Sequence, residues 1–245
     1  LFRVLSAQPA VQPFIFLNLP DSKVINEGLE VALSYDFVDQ DDFYIGASVN
    51  VAYNDNVIDQ LQGEFNAGTI RGQGLSNAFA QKLQEGQPLF SFFLREFEGF
   101  DADGQPIQED VQKFVGKSAL PDFTGGFSLN ARYKNWSLST FLAGQFGHYI
   151  YNNTENAFFT AGSFNSARNV LASTLTNGEA LTAAAEVSTR FLEKGDFVRM
   201  QNLTVGFDWP LKEDSLFDAL ALSLTGQNLF VITDYSGLDP EVSVT

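Results

Sequence analysis

The chain has 245 residues, with 30 Asp and Glu against 14 Lys and Arg and a formal charge of −16. So acidic a chain is poorly suited to nucleic acid, because phosphate binding needs clustered Lys and Arg. It has no Cys and a single His, His148, which excludes disulfide frameworks, thiolate zinc sites, Cys nucleophiles and multi-histidine metal centres.

The chain starts at Leu1 without a charged n-region or an apolar h-region, as a mature form or a piece of a longer protein does. The first predicted strand covers 29–37, where Leu29, Val31, Leu33, Tyr35 and Phe37 alternate with Glu30, Ala32, Ser34 and Asp36. Side chains alternate faces along a strand, so this segment has one apolar and one polar face. A short polar turn, 39–42, leads into 43–54, with Phe43, Ile45, Ala47, Val49, Val51 and Tyr53 on one face. The long stretch 55–122 is rich in Asn, Gly, Gln and Ser and has little sustained period. Within it, SFFLREFEGF (91–100) is expected to form strand-like structure inside a loop.

FTGGFSLNARYK (123–134) sets Phe123, Phe127, Leu129 and Tyr133 against Asn130, Arg132 and Lys134. A turn at Lys134 and Asn135 leads to 136–146, where Trp136, Leu138, Leu142 and Phe146 alternate with Ser137, Ser139 and Gln145. A second long stretch, 148–196, follows, with His148 at its strand boundary. Leu203, Val205, Phe207 and Trp209 then alternate with Asn202, Thr204, Gly206 and Asp208. A turn over 210–218 precedes the last predicted strand, with Leu220, Leu222 and Leu224 facing away from Ala221, Ser223, Thr225 and Gln227.

Each strand is about ten residues long, roughly what a tilted strand needs to cross a bilayer. No run approaches the roughly 18 apolar residues of a membrane helix, which leaves the β-barrel as the membrane-spanning option. Two long excursions between short turns are odd in a compact soluble domain, but barrels combine short turns at one end with long loops at the other. Aromatic residues mark the strand ends (Tyr35, Phe37, Phe43, Tyr53, Tyr133, Trp136, Phe207 and Trp209), as girdles at both membrane boundaries do. A β-sandwich core with aromatic edges is the competing architecture.

On a lipid face at the midplane, Arg costs roughly 2–4 kcal/mol. Asn130, Arg132 and Lys134 are therefore expected to line a hydrated lumen. Arg199 shares parity with Leu203 and Phe207. Either it lies near the outer end of its strand, where that cost fades, or a β-bulge between Met200 and Asn202 moves it to the other face.

The motifs carry a resemblance. INEGLEVALSY (25–35), VNVAYNDNVI (49–58), EGQPLFSFFLREFEGFDADG (85–104), GQFGHYIYNNTENA (144–157), STRFLEKGDFVRMQNLTVGFDWP (188–210) and LSLTGQNLFVITDYSGLDPEVS (222–243) occur in that order. They resemble the SusC/RagA family of TonB-dependent outer-membrane transporters over nearly the whole chain. The resemblance implies an all-β fold, a partial antiparallel transmembrane β-barrel with about six spanning strands of a 22-strand type. Residues 1–245 then read as the C-terminal part of the receptor barrel, without plug, N-terminal barrel strands or last strand, with 55–122 and 148–196 as outer loops. Six strands cannot close such a barrel, and an open edge in lipid leaves backbone groups unsatisfied at several kcal/mol each.

The resemblance further implies import of oligosaccharides or peptides at the cell outer membrane, with TonB acting through the plug and a SusD-like surface lipoprotein as lid. Tyr149, Tyr151, Phe158, Phe159 and Phe164 in the second loop are then candidate substrate contacts, the competing role being to pack the loop together. No cofactor or metal is expected. Asp101-Ala102-Asp103-Gly104 lacks the further carboxylates of a calcium loop and reads as a turn. Asp234, Asp239 and Glu241 read as turn and loop-ordering residues.

Nothing points to an enzyme. The carboxylates, Asp103 with Glu109 or Asp110 among them, sit in loops with no pattern holding two across a cleft. Neither a G-x-S-x-G elbow nor a Walker A run occurs. A secreted β-sandwich that binds glycans without transport remains the alternative.

Overall fold

The computed structural model describes residues 2–5, 14–17, 21–72, 75–183, 186–211, 217 and 219–241. In chain order its strands are β1 (Phe2–Leu5), β2 (Phe14–Leu17), β3 (Lys23–Gln40), β4 (Phe43–Gln60), β5 (Phe65–Gly72) and β6 (Leu75–Leu83). Then come β7 (Ser91–Leu94), β8 (Phe97–Phe100), β9 (Pro106–Gln108), β10 (Lys113–Ser118), β11 (Phe123–Tyr133) and β12 (Trp136–Phe146). After β13 (Tyr149–Tyr151), the helix α1 (Asn153–Phe158) and short 3-10 turns, the chain returns through β14 (Leu192–Lys194), β15 (Phe197–Trp209) and β16 (Leu220–Thr233).

Six long strands form one sheet in the order β16-β15-β12-β11-β4-β3, every pair antiparallel. All six predicted strands are in it. The register fixes the faces. Leu129 sits opposite Ala47 and Thr140, Tyr133 opposite Phe43 and Trp136, and Trp136 opposite Phe207. At the other end Phe123 faces both Tyr53 and Phe146. Two aromatic rows result. Phe43 meets Tyr133 at 6.1 Å and Trp136 meets Phe207 at 4.7 Å, while Tyr53 meets Phe123 at 5.1 Å.

The rows are separated by the length of β11, 11 residues. At about 3.4 Å per residue and a tilt near 45°, that spans roughly 24 Å, close to the apolar band of an outer-membrane barrel. Among the described residues of this face no charge lies between the rows. The first acids on it, Glu27 and Asp55, stand opposite one another just beyond Tyr53. Among the described residues nothing covers the face: Leu29, Leu33, Leu222 and Leu224 are 66%, 65%, 56% and 77% exposed. A sandwich core would bury them, so the sandwich alternative falls.

Three local departures from strict alternation have structural causes. Phe37 is bulged, so Val38 rather than Phe37 takes the place opposite Ile45. A bulge at Gln201 in β15 lets Asn202 pair with Phe141 and Met200 with Leu142. Parity flips there, and Arg199 lands opposite Ala143 and Val231 on the polar face, which decides between its two expected placements. Finally, β3 and β4 run on past the aromatic row to Lys23 and Gln60, where Asn26 pairs with Asn56 and Lys23 with Asp59. There the apolar residues come in adjacent pairs, Val24-Ile25 and Val57-Ile58, which put one on each face, so no alternation marked the extension. The turn expected over 210–218 lies mostly outside the described residues.

The buried core sits elsewhere. Ile70, Ala80, Phe92 and Leu94 form it, with Leu75, Val115, Tyr149, Tyr151 and Leu192 packed around them. These residues belong to the two long stretches, which carry a four-stranded sheet in the order β10-β7-β6-β5 and the ribbons β8–β9 and β13–β14. Residues 91–100 supply β7 and β8, strands outside the six-stranded sheet.

Candidate functional site

The polar face begins with short side chains. Asn130 lies opposite Ser139 and Gly46, and Arg132 opposite Ser137 and Tyr44, whose hydroxyl donates to Asp36 at 2.7 Å. Asn130 and Arg132 are exposed on this face. Lys134 is not in the strand. It occupies the turn at φ 52°, donates its N–H to the Asp42 carbonyl at 2.7 Å and holds its ammonium 5.5 Å from the Tyr133 ring.

The loop body is built onto the far end of this sheet by the residues of the sequence motifs. Asn56 in β4 accepts the Leu89 N–H at 2.8 Å, and Ile58 exchanges main-chain bonds with Gln87 and Gly86 at 3.0 and 2.8 Å. Ser91 donates to the Pro88 carbonyl and Ser118 to that of Leu89. The Gln87–Ser91 turn is thereby tied to β4 and β10 together. Further out, Asp101 accepts from the N–H groups of Asp103 and Gln105, and Gly104 at φ 74° closes the β8–β9 hairpin. The DADG run is a turn, as its composition predicts.

Arg190 joins the two long stretches. It makes a two-bond pair with Glu179, at 2.6 and 3.2 Å, and reaches Glu186 at 3.4 Å, both carboxylate side chains being 2% exposed. Its guanidinium also lies 4.8 Å from the Phe100 and Phe191 rings and 5.7 Å from Phe97. Planar guanidinium suits both the paired carboxylate and the ring faces. Beside it Thr189 donates its N–H to the Arg95 carbonyl and accepts from Phe97 N–H. Burial raises the Glu186 carboxyl above its ordinary range, against the lowering effect of Ser188 and Arg190.

A second clamp closes over the loop-body end of β12 and β15. Arg199, 9% exposed, is ion-paired to Asp239 and to Glu241 at 3.1 Å. His148 is 4% exposed beside Phe197 and has no room for a side chain at Gly195. Burial lowers the imidazole pKa, while Asp196, the Pro240 carbonyl and Asp122 act the other way. Asn152 caps α1 through the Glu155 N–H and also reaches Glu193 and Ser236. Asp239 and Glu241 thus order the segment, whereas Asp234 makes no such pair among the described residues.

The five candidate substrate contacts divide. Tyr149 and Tyr151 pack against the loop core. Burial, with the Glu186 charge adding to it, pushes the Tyr151 phenol well up, and its oxygen accepts from Asn156 at 3.0 Å. Both tyrosines line a cavity of about 320 Å³ with Ile70, Phe92, Leu120 and His148. Phe158, Phe159 and Phe164 stand outside it, exposed on the surface, with Arg168 5.1 Å from the Phe158 ring.

A second cavity, about 370 Å³, is polar, and only Phe93 and Arg95 of its lining fall within a quoted motif. Asn66, Asn77, Gln81, Gln108, Gln112, Arg95 and Glu186 line it, with Phe79 and Phe93. The rest of it shows in the sequence only as the Asn and Gln content of 55–122, a composition that loops share.

An open antiparallel sheet with one charge-free face between aromatic rows, one polar face and a loop body on one end is a wall segment of the transmembrane β-barrel class. No family's sequence model matches the chain. Individual proteins do. The TonB-dependent receptor P3 of Formosa agariphila is 28% identical over 254 residues, covering 89% of this chain and 25% of that protein. The TonB-dependent receptor SusC of Bacteroides thetaiotaomicron is 26% identical over 245 residues, covering 89% and 24%.

Among solved structures, the RagAB peptide transporter superposes with a TM-score of 0.73 at 24% identity, over 90% of this chain and 27% of that one. The RagAB peptide importer in its open-open state gives 0.74 at 23% identity, over 91% and 27%. The resemblance read from the motifs agrees with these findings: the chain is similar to TonB-dependent receptors, SusC among them, and shares the fold of the corresponding part of RagAB. It spans about a quarter of the length of the curated relatives it matches.

Proposed function

We propose that the chain is part of the barrel wall and outer loops of an outer-membrane active transporter, importing oligosaccharides or peptides. One observation carries this reading: a cross-strand register that leaves a charge-free apolar face between two aromatic rows. Lipid covers that face, since burying it inside the protein would need a second layer. The polar face, with Asn130 and Arg132 on the strand and Lys134 at its turn, lines the lumen.

The stretches 55–122 and 148–196 face outward, toward substrate and a SusD-like lid lipoprotein. In this reading Tyr149 and Tyr151 shape the loop body from within, and Phe158, Phe159 and Phe164 are its exposed contacts. TonB supplies energy through a plug outside this chain. The protein carries its substrate without chemical change. The relatives' names support an uptake receptor, and RagAB, whose substrate is a peptide, supports import.

The test is a blot of source-cell membranes with an antibody to residues 188–210, comparing boiled with unboiled samples. A band in the outer-membrane fraction that shifts on boiling is expected of a closed barrel. A soluble band that does not shift would overturn the reading.

A further inference from the structure

The polar cavity adjoins an incomplete strand edge. On one side β6 pairs with β5 along Phe65–Gly72. On the other its pairing with β7 is confined to Gln81 opposite Phe92. Ser76, Asn77, Ala78 and Phe79 therefore have β5 on one edge and the cavity on the other. Asn77 sits at φ 50°, where β6 carries an extra residue opposite Ile70–Gly72, a bulge of the kind that borders binding sites.

Two oxygens of the lining lack a donor. Gln108 Oε1 and Glu186 Oε2 are buried and have no hydrogen-bond partner, and Glu186 as a whole is 4% exposed. A buried acceptor without a partner costs free energy that a donor from a ligand recovers. Charges nearby balance: Arg95 and Arg190 stand against Glu179 and Glu186, which suits an uncharged ligand. Asn66, Asn77, Gln81 and Gln112 add carboxamides, each with a donor and an acceptor in the plane of a peptide group.

We infer that this cavity binds an extended, uncharged peptide segment as an added strand on the Ser76–Phe79 edge of β6. The inference rests on the import reading and selects one of its two substrate classes. Main-chain N–H and C=O groups recur at the strand repeat and match an open edge, which sugar hydroxyls do not. A pyranose would instead need a free aromatic face. Of the two rings on the lining, Phe93 is taken, since Lys82 lies 4.1 Å from its ring centroid and Phe114 packs edge-on at 4.9 Å, which leaves Phe79 as the single ring a sugar could use.

The experiment uses the receptor carrying this chain, extracted from outer membranes and shown to shift on boiling. The probe is a fluorescent capped octapeptide of alternating Thr and Ser, followed by anisotropy. Saturable binding is expected, with N-methylation of alternate residues weakening it at least tenfold and maltoheptaose failing to compete. Gln108→Leu removes an acceptor that has no partner in the free protein, so the heat shift should persist while peptide affinity falls about tenfold. Equal binding of the N-methylated peptide, competition by maltoheptaose, or an unchanged Gln108→Leu affinity would each overturn the inference. So would absence of peptide binding by a barrel that still shifts, which leaves the transporter reading standing. Absence of the shifting barrel itself strikes that reading instead.

Discussion

The six-stranded sheet and the loop body solve opposite problems with the same secondary structure. The sheet leaves its apolar side chains open, Leu224 at 77% and Leu33 at 65% exposure, because its stability as a wall comes from the surrounding medium. The loop body buries Phe92, Leu94 and Phe191 almost completely and ties distant residues by specific polar pairs. A sheet sorted by solvent is tolerant at each site but strict about faces. A body held by a few buried pairs is strict about individual residues.

The largest effect expected from that contrast is in the loop body. Replacing Arg190 by Met strands the Glu179 and Glu186 carboxylates in the interior, which costs about 3–5 kcal/mol for a buried pair losing one partner. Hydrogen exchange should show the Phe97 and Thr189 amides losing protection while β11 and β12 keep theirs. Uniform loss across both regions would mean that the two are not separable units.

In the sheet, identity matters less than face. Leu129→Arg puts a cation near the middle of the apolar face and should cost about 2–4 kcal/mol, whereas Asn130→Arg, one residue on, should cost little. Urea unfolding of the receptor in lipid vesicles measures both. Equal costs would break the assignment of faces.

Gln201 links the two regions. Its bulge lets a charged residue end on the polar face of a strand whose inner half has the other parity. Deleting Gln201 should swing Arg199 toward lipid and break its pairs with Asp239 and Glu241, so it should destabilise more than Arg199→Ala. The latter should cost about 1–2 kcal/mol, since the partners are half exposed. Proteolysis after β16 reports both. If the two variants behave alike, the bulge is not what sets the side chain's face.

The same contrast explains what was legible in the sequence. Period-two alternation is written by a solvent difference across the sheet, so Phe123 to Tyr133 could be assigned face by face. It failed at Phe37 and left Arg199 open, because a bulge changes parity without changing composition. It also stopped at Asn54 although β4 continues to Gln60, since that end packs against the loop body, where Ile58 is buried beside the polar Asn56 and Asp59 and no single solvent difference sorts the faces. In the loop body, Arg190 with Glu179 and Asn56 with Leu89 depend on contacts between residues far apart in the chain. The motifs marked where such residues are, but not what they touch. Gln108 and Glu186 carried no pattern at all.

The smallest effect is a dependence on pH at the junction of the two regions. His148 is buried as the neutral imidazole and its pKa is lowered below the ordinary 6.5, chiefly by burial, although Asp196, Asp122 and the Pro240 carbonyl face it. The unfolded chain takes up this proton near 6.5, whereas the folded one does so only at lower pH. Stability contributed by the neutral ring is therefore complete above 6.5 and is lost as pH falls from there toward the folded pKa. The Gly195 amide, bonded to the His148 carbonyl at 2.9 Å, should exchange a few-fold faster at pH 5.5 than at 7.5 after correction for intrinsic rates. His148→Gln should flatten that difference without moving the Leu129 amide. A Gly195 profile unchanged by the substitution would assign the pH response to the carboxylates around it, and the junction would then be held by the Arg199 pairs rather than by the ring.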